Sequence, residues 1–290
     1  MTPPLPRLAF VQVPTPRQRA AAEVALARGE IEPFLHDLTT IHAELERRGV
    51  EVRPIYSDAD LPELGGLRPE DIFVFAGLAM TWRWLQRFGW EARLAPSYPM
   101  ALEGLLNRRT WRGTPAALLA GPAASAAPVF VKTCRPCFPG GERFDGQVWP
   151  SLDRLTELHP ALREELFLCS EPVAFVSEYR CYVLNGRVLG VHAYQLLGVF
   201  CGPVDGSDLE RHMPEVRPTP DFLANAVARL AASGEAPAGY ALDFGLMAYG
   251  RMSLVELNDA ISLTNYGLSD ADLLDLHLAR WQELAHGGAG

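Results

Sequence analysis

The chain has 290 residues, 48% of them hydrophobic, and a formal net charge of −9. That length can bury a sizeable core and lies near the size at which single cores divide into domains, while the acidic balance argues against a nucleic-acid backbone or an anionic membrane surface as the main partner. Five cysteines, an odd number, do not read as a disulfide framework.

The N-terminal stretch "MTPPLPRLAFVQV" carries an apolar run too short for a signal peptide, and no segment approaches the ~20 apolar residues of a membrane span. A cytoplasmic protein is the expectation. "RLAFVQV", "VEVRPIY" and "DIFVFAG" are short β-rich runs. Between them, "EPFLHDLTTIHAELERRG" and "AMTWRWLQRFG" carry helical spacing and end at Gly49 and Gly89. The alternation predicts an α/β domain with a small parallel sheet over residues 1–104. Trp82, Leu85 and Phe88 sit near helical spacing and read as core. "TPAALLAGPAASAAP" reads as a helix end running into a connector. The strand "PVFVKT" follows, then "PCFPGGERFDGQ" over 136–147, a Gly/Pro-rich stretch without period that reads as a mobile loop closing over a ligand. From about residue 166 the chain turns β-rich.

Two hairpins carry the chemistry. Asn185-Gly186 is a two-residue turn signal, because both positions tolerate positive φ. Its register sets Leu184 opposite Arg187 and Arg180 opposite Val191, with Glu178 and Arg180 on one face. The same register puts His192 and Tyr194 opposite Tyr179 and Ser177, on the other face, as packing residues. In "ALDFGLMAYGRMSLVELND" a turn at Tyr249-Gly250 sets Asp243 opposite Glu256, with Asn258 two residues further on the same face. Opposed like charges about 5 Å apart destabilise a sheet unless something neutralises them. A divalent cation held by carboxylate, carboxylate and amide oxygens would do so and suits Mg²⁺. The alternative is a register off by one or two, with Asp243 in solvent. On the shared-ion reading, removing one carboxylate costs activity and leaves stability intact or raised.

Lys132 is the only lysine, against 25 arginines. Codon bias accounts for a chance survivor. A phosphate site accounts for a compact ammonium whose three donors follow moving oxygens better than a planar fork does. Cys134 and Cys137 have C-x-x-C spacing but no second pair, so they read as loop thiols.

A lysine ending a strand before a Gly-rich loop, an acidic hinge strand and a terminal D-x12-E-x-N pair of strands together resemble the ATP-grasp superfamily, the fold of D-alanine–D-alanine ligase and glutathione synthetase. The resemblance covers about residues 105–275. It implies a two-lobed ATP-grasp domain over 105–290, with lobes of about 105–168 and 169–290, behind the N-terminal domain. It gives Lys132 to the nucleotide phosphates, Glu171 to the adenine amino group and the main chain near Val173 to the base edge. Glu178 would take the ribose hydroxyls and Arg180 a phosphate, with Asp243, Glu256 and Asn258 as metal ligands. The family commonly has a second phosphate-side lysine; this chain has none, and Arg108 or Arg109 in "LLNRRTW" occupies about the right place. The implied activity is an ATP- and Mg²⁺-dependent ligase joining a carboxylate to an amine through an acylphosphate, with an amino acid or peptide as substrate, and neither nucleic acid nor membrane as partner. A kinase on the same fold and a nucleotide-binding module without turnover are the rival readings; monomer and homodimer both stay open.

Overall fold

The structure is a computed structural model that describes residues 3–27, 33–56, 62–135, 146–196, 199–200 and 217–287. The chain packs as two compact units, one formed by residues 1–103 with 175–290 and the other by residues 104–174.

The larger unit begins with β1 (Leu8–Gln12), α1 (Pro16–Ala27), α2 (Pro33–Arg47), β2 (Glu51–Ile55), β3 (Ile72–Phe75) and α3 (Leu78–Phe88). The three strands form a parallel sheet in the order β2-β1-β3. The apolar runs explain this order: Leu8 to Val11 and Ile72 to Phe75 are all buried, as strands covered on both faces must be, whereas β2 is a largely exposed edge. Both predicted helix ends stand, with Gly49 and Gly89 at φ 78° and 68°, a left-handed conformation that glycine adopts without a Cβ penalty. Trp82 and Leu85 are buried, as the spacing of α3 implies, while Phe88 is half-buried; Trp84 is buried as well, and Phe10 stacks on it with centroids 5.2 Å apart.

The same unit continues with β8 (Phe175–Leu184), β9 (Arg187–Leu196), β10 (Val199–Phe200), α5 (Pro220–Ser233), β11 (Gly239–Met247), β12 (Met252–Asp259) and α6 (Asp270–His286). Its strands form an antiparallel sheet in the order β10-β9-β8-β11-β12. Helix α6 joins the two sheets of this unit: Leu273, Leu274, Leu276 and Leu278 are buried, and Trp281 meets Phe73 edge-on at 6.0 Å.

The smaller unit holds β4 (Thr110–Gly113), α4 (Pro115–Ala120), β5 (Val129–Thr133), β6 (Gln147–Trp149) and β7 (Phe167–Ser170). These strands form an antiparallel sheet in the order β4-β7-β5-β6. One face carries the core, built on Leu118, Val129, Val131, Trp149, Phe167 and Cys169. "TPAALLAG" is a helix start, not the helix end its composition suggests. The Thr114 hydroxyl accepts from the Ala117 N–H and Pro115 opens the helix, an N-cap with proline in the first turn. Of the expected 136–147 loop, residues 136–145, including Cys137, lie outside the described residues, and Gln147 opens β6. Among the described residues no helix is long and apolar enough to cross a membrane.

Candidate active site

The β11–β12 hairpin turns differently from its sequence expectation. The Gly250 N–H donates to the Met247 carbonyl and the Met247 N–H to the Arg251 carbonyl, with Gly250 at φ 83°. This is a three-residue loop ending in a left-handed glycine, so Leu246 pairs with Met252 where a two-residue turn would pair it with Ser253. A bulge at Val255 then takes up the extra residue, and Asp243 faces Glu256 after all. Asn258, two residues on, donates its amide to Asp243 Oδ2 at 2.9 Å.

On its other side Asp243 pairs with Arg180 of β8. The guanidinium holds both carboxylate oxygens, Nε to Oδ1 at 2.9 Å and Nη2 to Oδ2 at 2.7 Å. The side chains are 11% and 2% exposed. Burial works against the charge of Arg180, but the adjacent Asp243 outweighs it and raises the guanidinium pKa well above its usual value. The opposed carboxylates therefore have a neutralising partner within the chain.

Strand β9 is where the sequence reading fails. Leu184 does face Arg187 across the Asn185-Gly186 turn, but Arg180 faces His192 and not Val191. Two bulges, at Leu189 and at Tyr194, advance β9 by one residue each. His192 consequently lies in the row of Arg180 and Asp243, and Tyr194 is an extra residue whose side chain the bulge re-aims. Its hydroxyl donates to Glu178 Oε2 at 2.6 Å, and its ring stacks on Tyr266 at 5.4 Å. Arg180 packs over both rings, 5.0 Å from Tyr266 and 5.6 Å from Tyr194. Tyr266 is held there by Tyr182, whose hydroxyl accepts from the Tyr266 N–H and donates to the Thr264 carbonyl. Burial pushes the Glu178 carboxyl up, the Tyr194 bond pulls it down, and the charges of Asp243 and Glu256 raise it again. Burial, Asp243 and Glu178 raise the Tyr194 phenol in turn, so it stays protonated and donating.

In the smaller unit, Lys132 lies on β5, where Val129, Val131 and Thr133 are buried and Phe130 and Lys132 are half-buried. Arg109 is tied to Glu171: its Nε donates to Oε1 at 2.8 Å and its backbone N–H to Oε2 at 2.9 Å. Those backbone and side-chain bonds lower the Glu171 pKa. The Arg108 guanidinium donates to the Leu106 carbonyl at 3.0 Å. Val173 lies in the connection between β7 and β8. The larger unit thus gathers Glu178, Arg180, Asp243, Glu256 and Asn258 on one sheet face, and the smaller unit holds Lys132, Arg109, Glu171 and Val173. The sequence reading set His192 and Tyr194 on the other face as packing residues, which the two bulges of β9 overturn, and it missed Tyr266, which reaches the face through a loop.

A family model for an ATP-grasp domain, the second family of its clade, matches residues 105–276, more than half of the chain. The chain belongs to the ATP-grasp superfamily. No curated protein matches it. Among solved structures, D-alanine–D-alanine ligase from Bacillus anthracis complexed with ATP is 12% identical, with 98% of this chain and 99% of that chain covered and a TM-score of 0.48. D-cycloserine synthetase DcsG is 14% identical, covering 97% and 99% with a TM-score of 0.49. ATP-grasp ligase PsnB, complexed with a precursor peptide and AMPPNP, is 14% identical, covering 95% and 98% with a TM-score of 0.48.

The donor chemistry of this ATP-grasp chain fits a magnesium ion. Asp243, Glu256 and Asn258 offer oxygens from adjacent strands, and because the Asn258 amide nitrogen bonds Asp243, its carbonyl oxygen is the atom left to ligate. The Asp243 carboxylate accepts two bonds from Arg180 and one from Asn258. Among the described residues no group of three or more His, Cys, Asp or Glu side chains is placed to hold a metal. The set therefore suits an ion that keeps several waters and takes phosphate oxygens as further ligands.

Proposed function

We propose that the chain is an ATP- and Mg²⁺-dependent ligase that joins a carboxylate to an amine, with an amino acid or peptide as substrate, and releases ADP and phosphate. The observation that carries this reading is the row Arg180–Asp243–Glu256, with Asn258 beside it. Phosphoryl transfer needs alignment and charge neutralisation more than covalent help from the protein, and this row supplies fixed charges of both signs. Mg²⁺, held by Asp243, Glu256 and Asn258, would neutralise phosphate charge. Arg180, fixed by Asp243 and two aromatic rings, presents a guanidinium that does not reorganise. Tyr194 fixes the Glu178 carboxylate for the ribose hydroxyls, and Lys132 serves the phosphates. A substrate carboxylate is already ionised at neutral pH, so its attack on the γ-phosphoryl group needs no general base; an amine then displaces phosphate from the acylphosphate. The functional division that accompanies this reading is an N-terminal domain over 1–104 and an ATP-grasp domain over 105–290, in a cytoplasmic protein.

A screen of amino acids and short peptides for ATP consumption, with mass spectrometry of the products, tests the proposal. Amide with ADP and free phosphate supports it. A phosphorylated product makes the chain a kinase, and binding without turnover makes it a nucleotide-binding module.

A further inference from the structure

Arg280 of α6 is buried against the end of β12, where its fork grips the Asp259 carboxylate, Nε to Oδ1 and Nη2 to Oδ2 at 2.7 Å each. The two side chains are 5% and 8% exposed. Burial works against the charge of Arg280, and Asp259 and Glu283 outweigh it. The same guanidinium reaches further, with Nη2 also donating to the Arg93 carbonyl at 2.8 Å and Nη1 to Glu283 Oε2 at 2.6 Å. Glu283 Oε2 in turn accepts the N–H of Ala238, the residue before β11, at 2.8 Å. One side chain thereby ties the start of β11, which carries Asp243, to the end of β12, which carries Glu256 and Asn258. Asn258 itself is bracketed. Leu257 before it donates its N–H to the Ser97 carbonyl at 2.7 Å, and Asp259 after it accepts the Ala95 N–H at 2.9 Å. The Ala260 carbonyl is held by His277, three residues before Arg280 on α6. By the period of two, Leu257 and Asp259 project to the face opposite Glu256 and Asn258, so these anchors grip the back of the strand whose front bears the candidate ligands.

We propose that Arg280 is a positioning residue for the magnesium site, acting through Asp259 so that the end of β12 presents the Asn258 carbonyl oxygen to the ion. The proposal rests on the metal role given to Asp243, Glu256 and Asn258. A buried ion pair adds little stability over an apolar pair of the same volume, but its bidentate geometry fixes direction. Direction matters because the Asn258 amide is already committed on one side. Its nitrogen bonds Asp243 at 2.9 Å, and a small slide or rotation of β12 would turn the carbonyl away or break that bond. Residues behind metal ligands act in this way, and their loss costs about 10- to 100-fold in metal affinity.

The test is calorimetric titration of the full chain with ATP, in Mg²⁺ and in EDTA, for the parent, Arg280→Lys, the double variant Arg280→Met with Asp259→Leu, Glu256→Gln and Arg48→Met. The double variant leaves no uncompensated buried charge and should fold. Its enhancement of ATP affinity by Mg²⁺ should fall by about tenfold or more, with the affinity in EDTA like the parent's. Arg280→Lys keeps the charge but not the fork; it should lose part of the enhancement, and it decides the matter should the double variant not fold. Arg48→Met breaks another ion pair of α6, that of Arg48 with Asp275, and should keep the full enhancement at reduced stability. Parent-like enhancement in both Arg280 variants, alongside its loss in Glu256→Gln, would overturn the inference and leave the metal reading standing. A loss of the same size in Arg48→Met, or an equal loss in Mg²⁺ and in EDTA for the double variant, would show a general loosening of the fold and would also overturn it. If Glu256→Gln keeps the enhancement, the metal reading fails and the inference falls with it.

Discussion

Replacing Asp243 by asparagine reverses an expectation drawn from spacing alone. Two opposed carboxylates, Asp243 and Glu256, repel, and neutralising one ought to relax the hairpin. The structure adds the missing partner: Arg180, 11% exposed, gives two donors to Asp243, 2% exposed. An amide in place of the carboxylate leaves the guanidinium buried without its counter-charge, a loss of about 3–5 kcal/mol for breaking a buried pair from one side. For a chain of this size that corresponds to a melting temperature lower by on the order of 10 °C. Removing both charges together, as in Arg180→Met with Asp243→Leu, leaves no uncompensated ion, so most of the stability should return while activity stays lost. Differential scanning calorimetry of the metal-free proteins decides it. A single Asp243→Asn variant that melts within roughly 2 °C of the parent would refute the argument, since the pair would then contribute nothing that an amide does not.

Lys132→Met should fold like the parent, because the side chain lies on the non-core face of its sheet, and should lose most ATP affinity; Lys132→Arg should recover little, as nucleotide titration of the three proteins will show. Tyr194→Phe removes the hydroxyl that holds Glu178 at 2.6 Å, so the KM for ATP should rise about tenfold, while Phe keeps the ring that stacks on Tyr266. His277 is buried, donates to the Ala260 carbonyl, and has its pKa lowered by burial from 6.5 to about 4. With the folded value depressed, the unfolded chain takes up the proton first, so this contribution is present above pH 6.5 and is lost as pH falls toward about 4. Urea unfolding at pH 7.5 and pH 5 should show a smaller difference for His277→Phe than for the parent.

The N-terminal sheet was legible because burial on both faces leaves an unmistakable trace: Leu8 to Val11 and Ile72 to Phe75 are uninterrupted apolar runs. The hairpins were legible only in part. Asn185-Gly186 announces its turn, with φ 49° and 75°, and the pairing nearest that turn follows from it. Further from the turn, the bulges at Leu189 and Tyr194 break the count; Gly190 beside the first is a glycine inside a strand, a signal of a bulge, and nothing in "RVLGVHAYQL" marks the second. The Asp243–Glu256 pairing came out as expected for a reason the sequence does not display, since a longer loop and a bulge at Val255 cancel. The ion pair between Arg180 and Asp243 was hidden for a different reason. It joins residues 63 positions apart on neighbouring strands, and the order of the strands, not their periodicity, brings them together. Thr114 gave a capping signal that an Ala- and Pro-rich context obscured.

The central claim, ligation through an acylphosphate, is tested most directly by following oxygen. With a carboxylate substrate identified by the screen and labelled with ¹⁸O at its carboxyl group, the account predicts that one labelled oxygen leaves in the inorganic phosphate for each amide formed. Unlabelled phosphate, or a phosphorylated product that persists in place of amide, would contradict it.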